Sequence, residues 1–159
     1  MILIVGFGWA KPVPVNPRYF KNPKVGMAIT ALAGPVSNLL CAFIGAVLYN
    51  VVWLLAVKGV LGWFLYNLLV VFFIYFVTIN VSLAVFNLIP IPPLDGSKIL
   101  FAFLPDRIVY KIYRYEPMFN VALIVLVVAG VLTGPLSYLS GWVTDGIVYL
   151  AGLPFSSFF

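Results

Sequence analysis

One carboxylate stands out in this chain because it ends a long stretch without charge. Asp95 lies in the run NLIPIPPLDG, residues 87–96, and no residue between Lys58 and Asp95 is charged. An acid at the edge of such a stretch is costly to hold in hydrocarbon and marks a functional site by default. The prolines and the glycine break the helix here, which a membrane tolerates only where protein or water covers the backbone. The run therefore predicts a polar, irregular pocket beside an acid at membrane depth.

Spacing alone does not decide the roles of Asp95 and Asn87, the two polar side chains in this run. Asp95 precedes a predicted short helix over residues 96–104, where it would serve as an N-cap, or it is an ion-binding or catalytic acid. Asn87 is either a helix C-cap or a donor aimed at a peptide carbonyl or an oxyanion. A further polar interruption, AGPVSN at residues 33–38, is interpreted as a helix start with a small-residue packing surface.

The composition places these residues in a membrane protein. Of 159 residues, 64% are hydrophobic and 8% charged, against about 45–50% and about 25% in soluble domains. We therefore predict an all-α, multi-pass integral membrane protein forming a single domain over residues 1–159. The net charge of +5 does not indicate nucleic acid, because the basic residues sit in short loops next to apolar segments. Cys41 is the only cysteine, so no intrachain disulfide is possible.

The apolar segments predict three to four transmembrane helices with a proline-broken helix around the PPLDG motif. We place the first span at Gly34–Val57, with Pro35 in its first turn, where a missing N–H costs nothing. The second span runs from Val60 to about Phe86, after a tight turn at Lys58-Gly59. The third candidate is Pro117–Thr133, and residues 135–159 form a weak fourth span or a re-entrant piece.

The loops predict the orientation. Eight of the nine Lys and Arg residues lie in two segments, 11–24 and 98–114, which two crossings separate. Both segments therefore face the same side, predicted to be cytoplasmic, and Asp95 lies near the cytoplasmic end of the second span. Residues 6–24 are expected to form a loop, and residues 107–116, which mix tyrosines with basic residues, an interfacial amphipathic helix.

Three motifs in this order resemble one family. FNLIPIPPLDG, residues 86–96, resembles the second metal-binding motif of the site-2 protease family, the M50-type intramembrane zinc metalloproteases. GWAKPVPVNP, residues 8–17, resembles the loop after the first zinc helix in compact prokaryotic members. AGPVSN resembles their Gly-Pro-x-x-Asn helix start. The three motifs cover about residues 6–104, and the last fifty residues match only in being apolar.

The resemblance implies a zinc ion held by two histidines of a His-Glu-x-x-His helix and by Asp95. The family's glutamate is the general base, and Asn87 would position the substrate or support the oxyanion. The substrate would be a transmembrane protein, held extended near Gly8 to Val15. These implications fit a protein embedded in the lipid bilayer of a prokaryotic cell membrane, with no nucleic-acid partner.

The chain departs from the family pattern in one decisive respect, because it contains no histidine. A catalytic zinc needs three protein ligands and an open position, and Asp95 is one ligand. We therefore expect an N-terminally truncated member, the C-terminal part of the family domain, that does not bind zinc tightly and is inactive as given. Two alternatives stay open: a non-catalytic membrane protein that binds transmembrane helices, and a transporter or proton channel with a broken helix and a buried acid.

Overall fold

The computed structural model describes residue 16 and residues 19–158. These residues form six α-helices and a terminal 3-10 helix: α1 Pro23–Val57, α2 Trp63–Asn87, α3 Asp95–Phe103, α4 Asp106–Arg114, α5 Glu116–Val128, α6 Thr133–Gly152 and the 3-10 helix Leu153–Phe158. The described residues contain no strand, which confirms the all-α prediction. Most of the predicted loop at residues 6–24, including the proposed substrate segment Gly8 to Val15, lies outside the described residues.

Helix α1 is longer than predicted. It begins at Pro23, where the side chain of Asn22 accepts a hydrogen bond from the N–H of Val25 at 3.4 Å. Pro35 lies inside the helix and is buried, so the predicted start at Gly34 is wrong. A proline inside a helix removes one backbone hydrogen bond, but transmembrane helices tolerate it because neighbouring groups compensate. The uncharged residues before Pro35 therefore continue the helix.

Helices α1 and α2 form an antiparallel hairpin joined by the predicted turn. Gly59 has a φ of +72°, its N–H donates to Ala56 O at 2.9 Å, and the N–H of Val60 donates to Leu55 O at 3.0 Å. This pair of bonds is a Schellman motif, in which glycine takes the left-handed conformation at no steric cost. Both helices are long and apolar enough to cross a membrane.

The core lies where α6 packs against this hairpin. Its buried members are mostly small or β-branched: Ala42, Ala46, Val77, Val81 and Ala151. Small residues let helix backbones approach closely in a membrane, where association depends on packing rather than on the hydrophobic effect. The hairpin and α6 therefore form the packed part of the bundle, and α3, which follows the proline-rich turn, lies against α1.

The C-terminal spans differ from the prediction. Helix α5 has 13 residues, about 20 Å, which is shorter than the hydrocarbon layer of about 30 Å. Helices α5 and α6 bend by 82° relative to each other at a short break. The described residues thus contain two spanning helices, or up to three if this bent pair counts as one span. The third span predicted at Pro117–Thr133 is present only as part of this bent pair, because the backbone turns at Gly130, with a φ of +71°. The predicted re-entrant alternative for residues 135–159 stays open.

Candidate functional site

The proline-rich turn folds back on itself between α2 and α3. The last helical bond of α2 runs from Leu88 N–H to Ala84 O at 3.1 Å. Within the turn, Ile91 N–H donates to Ile89 O at 2.8 Å and Leu94 N–H donates to Ile91 O at 2.9 Å. The backbone groups of the break are thus paired locally, as a segment at membrane depth requires.

Gly96 closes the turn by direct backbone contact. A Cβ on Gly96 would collide with the carbonyl oxygens of Leu88 and Ile89, lying 2.5 Å from the latter. Only a residue without a side chain fits this approach. Asn87 directly precedes Leu88 and Asp95 directly precedes Gly96, so this contact brings the backbones of the two predicted site residues close together.

Asp95 is not the N-cap of α3. Leu94, with extended backbone angles (φ −68°, ψ 153°), occupies the cap position, and Asp95 is the first helical residue. Its Oδ1 accepts a hydrogen bond from Lys98 Nζ at 2.9 Å in an i,i+3 ion pair, with the Asp95 side chain 32% exposed. A negative charge in the first turn is also stabilised by the partial positive charge of the helix N-terminus. The cap prediction is therefore wrong by one residue, while the acid remains at the start of the helix.

The second oxygen of Asp95 faces α1. A Cβ built on Gly34 would lie 3.5 Å from Asp95 Oδ2, so this glycine brings α1 against the carboxylate. Gly34 and Ser37 are exposed, and Ser37 Oγ donates to Gly34 O at 2.7 Å. The AGPVSN motif and the NLIPIPPLDG turn therefore approach each other at Asp95, next to the exposed Gly34 and Ser37 of α1.

A second set of contacts shows where this site lies along the axis of α1. Lys24 Nζ donates to Leu104 O at 2.8 Å and pairs with the Asp106 carboxylate at 2.8 Å. Helix α3 thus runs antiparallel to the first turns of α1, from Gly34 at its start to Lys24 at its end. Ten residues of α-helix separate these two positions, or about 15 Å. Asp95 therefore lies about 15 Å further into the helix bundle than Lys24.

Asn87 is the last residue of α2, and Leu88 occupies the C-cap position. Its side chain is partly buried, and no hydrogen bond joins its amide to another residue within 19–158. A half-buried amide of this kind has both its donors and its acceptor available for a ligand. The C-cap interpretation is wrong by one residue, and the role of Asn87 toward a substrate stays a prediction.

Comparison with known proteins identifies the family. Residues 55–130 match Peptidase family M50. The chain is also 39% identical over 134 residues to the "Putative zinc metalloprotease YwhC" of Bacillus subtilis (strain 168), an alignment that covers 80% of this chain and 58% of the relative. This chain belongs to peptidase family M50, the site-2 protease family. The chain spans little more than half the length of that relative, and no solved structure matches it.

The name of the M50 relative implies zinc, but the described residues do not fit a complete zinc site. No three His, Cys, Asp or Glu side chains within them lie close enough to hold one ion. Among the described residues, the Lys98 ammonium pairs with the Asp95 carboxylate, and a Cβ built on Gly34 would lie 3.5 Å from it. The whole sequence also lacks histidine, so the two histidine ligands that the family resemblance implies are absent from it.

Three contacts of this M50 site were not predicted from sequence. The Asp95–Lys98 pair has a sequence signal, because residues three apart are neighbours on a helix surface. The contact between Gly34 and Asp95 and the pair between Lys24 and Asp106 join residues more than sixty positions apart. Nothing in the local pattern of residues indicates such long-range contacts.

Proposed function

We propose that this chain forms the Asp95-bearing part of a zinc-dependent protease that cleaves transmembrane proteins. In this proposal residues 1–159 form one membrane-embedded unit of the M50 peptidase domain. The observation that supports it most strongly is the close approach of Asp95 to Gly34, where a Cβ would lie 3.5 Å from the carboxylate oxygen, because two motifs of the family meet there. Their exposed side leaves room beside the acid for further groups.

Two side chains of this unit would act on the zinc and the substrate. Zinc, when bound, would polarise the peptide carbonyl and supply a nucleophilic water. Asp95 would offer one anionic oxygen, with Lys98 fixing the rotamer of its carboxylate. Asn87 would donate its amide N–H to the peptide carbonyl oxygen. The two histidines and the general base would have to come from residues outside this sequence, so we propose that the chain alone does not hydrolyse peptide bonds.

A zinc titration tests the last point. Purified protein in detergent should contain much less than one tightly bound zinc per chain, because the chain offers a single carboxylate of the ligand set. Asp145, an exposed acid on α6, provides the control substitution Asp145→Ala. A tight one-to-one zinc that disappears in Asp95→Ala but persists in Asp145→Ala would overturn this part of the proposal.

The ligand role of Asp95 is tested by supplying the missing groups. A His-Glu-x-x-His helix of the family is fused ahead of Met1, and cleavage of a transmembrane reporter is measured. Asp95→Ala should abolish cleavage, and Asp95→Asn should lower zinc affinity because a neutral oxygen replaces an anionic one. Asn87→Ala should lower kcat by about 10²-fold, the usual effect of removing one donor to a developing oxyanion. Equal cleavage with Ala at position 95 would refute the ligand role.

A non-catalytic helix-binding function is supported by one separate feature. A groove of about 470 Å³ lies between α2 and α6, and its lining includes five hydroxyl side chains: Thr78, Ser82, Thr133, Ser137 and Ser140. Hydroxyls on a lipid-facing surface are able to hydrogen-bond a neighbouring transmembrane helix. If the fused protein crosslinks the reporter at Ser82 but never cleaves it, this function is favoured over proteolysis. The transporter hypothesis has no such feature in its support and stays an untested alternative.

The membrane orientation belongs to the same proposal. We place the end of the bundle that carries Lys24 and α4 in the cytoplasm of a prokaryotic cell, because basic loops stay on that side. The contact of Lys24 with Asp106 supports a common side for the two basic segments. Asp95 would then lie within the cytoplasmic half of the bilayer.

A further inference from the structure

Helix α4 carries a basic stripe along one side. Arg107, Lys111 and Arg114 follow one another at i, i+4 and i+7, which places them within about 60° of each other around the helix axis. All three are exposed. We refer to these three residues as the basic stripe.

The opposite side of α4 faces the helix bundle. Val109 and Tyr113 line a cavity of about 170 Å³ together with Met27 of α1 and Phe101 of α3. The rings of Phe101 and Tyr113 meet edge to face, with centroids 5.2 Å apart. The ring contact and the shared cavity place Val109 and Tyr113 on the side of α4 that faces the bundle, so the basic stripe points away from it.

The charge of the basic stripe is not neutralised by the described residues. Their two ion pairs are Lys24–Asp106 and Lys98–Asp95, and neither of them involves Arg107, Lys111 or Arg114. Glu116, two residues beyond Arg114, forms no ion pair within the described residues either. The stripe therefore presents three positive charges on one surface. Such a surface attracts anions, and most strongly an array of them.

The level of α4 along the bundle indicates which anions it meets. Lys24, which holds the start of α4, lies 34 residues from Lys58 at the other end of α1, or about 51 Å. A bilayer with its headgroups is about 40–45 Å thick, so an α1 that crosses it would place Lys24 and α4 at or just outside the headgroup layer. Tyr110 and Tyr115 are also exposed there, as is usual for tyrosines at a membrane interface.

We propose that the basic stripe binds anionic phospholipid headgroups of the adjacent leaflet and so holds α4 flat on the membrane surface. Exposed Ile108 lies on the helix between the stripe and the packed side, where it would enter the acyl-chain boundary. This arrangement is that of an interfacial amphipathic helix, with apolar contact on one side and basic attraction on another. The proposal does not depend on zinc binding or proteolysis.

The test compares lipids of equal chain length and different headgroup. Protein in neutral detergent is titrated with phosphatidylglycerol or phosphatidylcholine, and thermal unfolding and bound lipid are measured. Phosphatidylglycerol should raise the unfolding midpoint and phosphatidylcholine should not. The triple substitution R107Q/K111Q/R114Q should weaken phosphatidylglycerol binding about a hundredfold, since each basic residue at an anionic surface contributes roughly a factor of five.

Two controls make the outcome decisive. Lys58→Gln, at the other end of the bundle, should leave the phosphatidylglycerol effect unchanged. Should the triple variant not fold, the wild-type protein is measured in rising salt, and the effect should be lost by about 1 M, where the screening length is about 3 Å. Equal stabilisation by both lipids, or a phosphatidylglycerol effect that resists salt, would overturn the proposal and favour an acidic protein partner for the stripe.

Discussion

Replacing Gly96 by alanine tests the closed turn beneath the candidate site. The added methyl would lie 2.5 Å from Ile89 O and meet the carbonyl group of Leu88 as well. Ordinary carbon–oxygen contacts are about 3.3 Å or longer, so the two backbone segments must separate by close to 1 Å. Backbone atoms have no alternative rotamer, and the strain cannot be relieved by a side-chain movement.

The expected cost follows from similar overpacked sites. Forcing an extra methyl into a closed contact destabilises proteins by about 1–3 kcal/mol. For a chain of this size 1 kcal/mol corresponds to about 2–4 °C, so Gly96→Ala should lower the thermal midpoint by about 2–12 °C. Gly146→Ala is the matched control, because no atom lies within 4 Å of its added Cβ in α6. That variant should be unchanged or more stable by up to about 1 kcal/mol.

The assay is thermal unfolding in one detergent, followed by the loss of helical circular dichroism. Limited proteolysis provides a second measurement, since a separated turn should be cut faster between residues 88 and 95. A midpoint for Gly96→Ala at or above the wild-type value would refute the reasoning. Equal losses in both alanine variants would show that the collision with the turn is not the cause.

Further predictions concern the basic end of the bundle. Single cysteines are introduced at positions 21, 58 and 111 in a Cys41→Ser background. Positions 21 and 111 should label from the same side of the membrane, and position 58 from the other side. Labelling of all three from one side would contradict the predicted topology. Lys24→Met should destabilise the protein by about 1 kcal/mol, because it removes a hydrogen bond and an ion pair to the α3–α4 junction. The control Lys21→Met should have little effect in the same unfolding assay.

The sequence alone determined the class of this protein and the place of its unusual backbone. The long uncharged stretches predict spanning helices because hydrocarbon excludes charge. The three prolines before Asp95 predict a break because proline lacks the N–H that a continuing helix needs. The turn at Lys58-Gly59 is likewise local, since glycine reaches the left-handed conformation without strain. These features depend on residues close together in the chain.

The tertiary structure decided which of these residues meet. Gly34 reaches Asp95, and Lys24 reaches Asp106, because α3 runs back along the first turns of α1. The sequence pattern placed Pro35 in the first turn, because proline has a high cost in a helix interior. The structure buries Pro35 within α1, and neighbouring groups in a membrane protein can compensate for the lost hydrogen bond. The bend between α5 and α6 was missed for a related reason: an apolar segment has the same composition whether it crosses straight or turns. Contacts between distant segments depend on helix packing, which a single chain's local pattern does not encode.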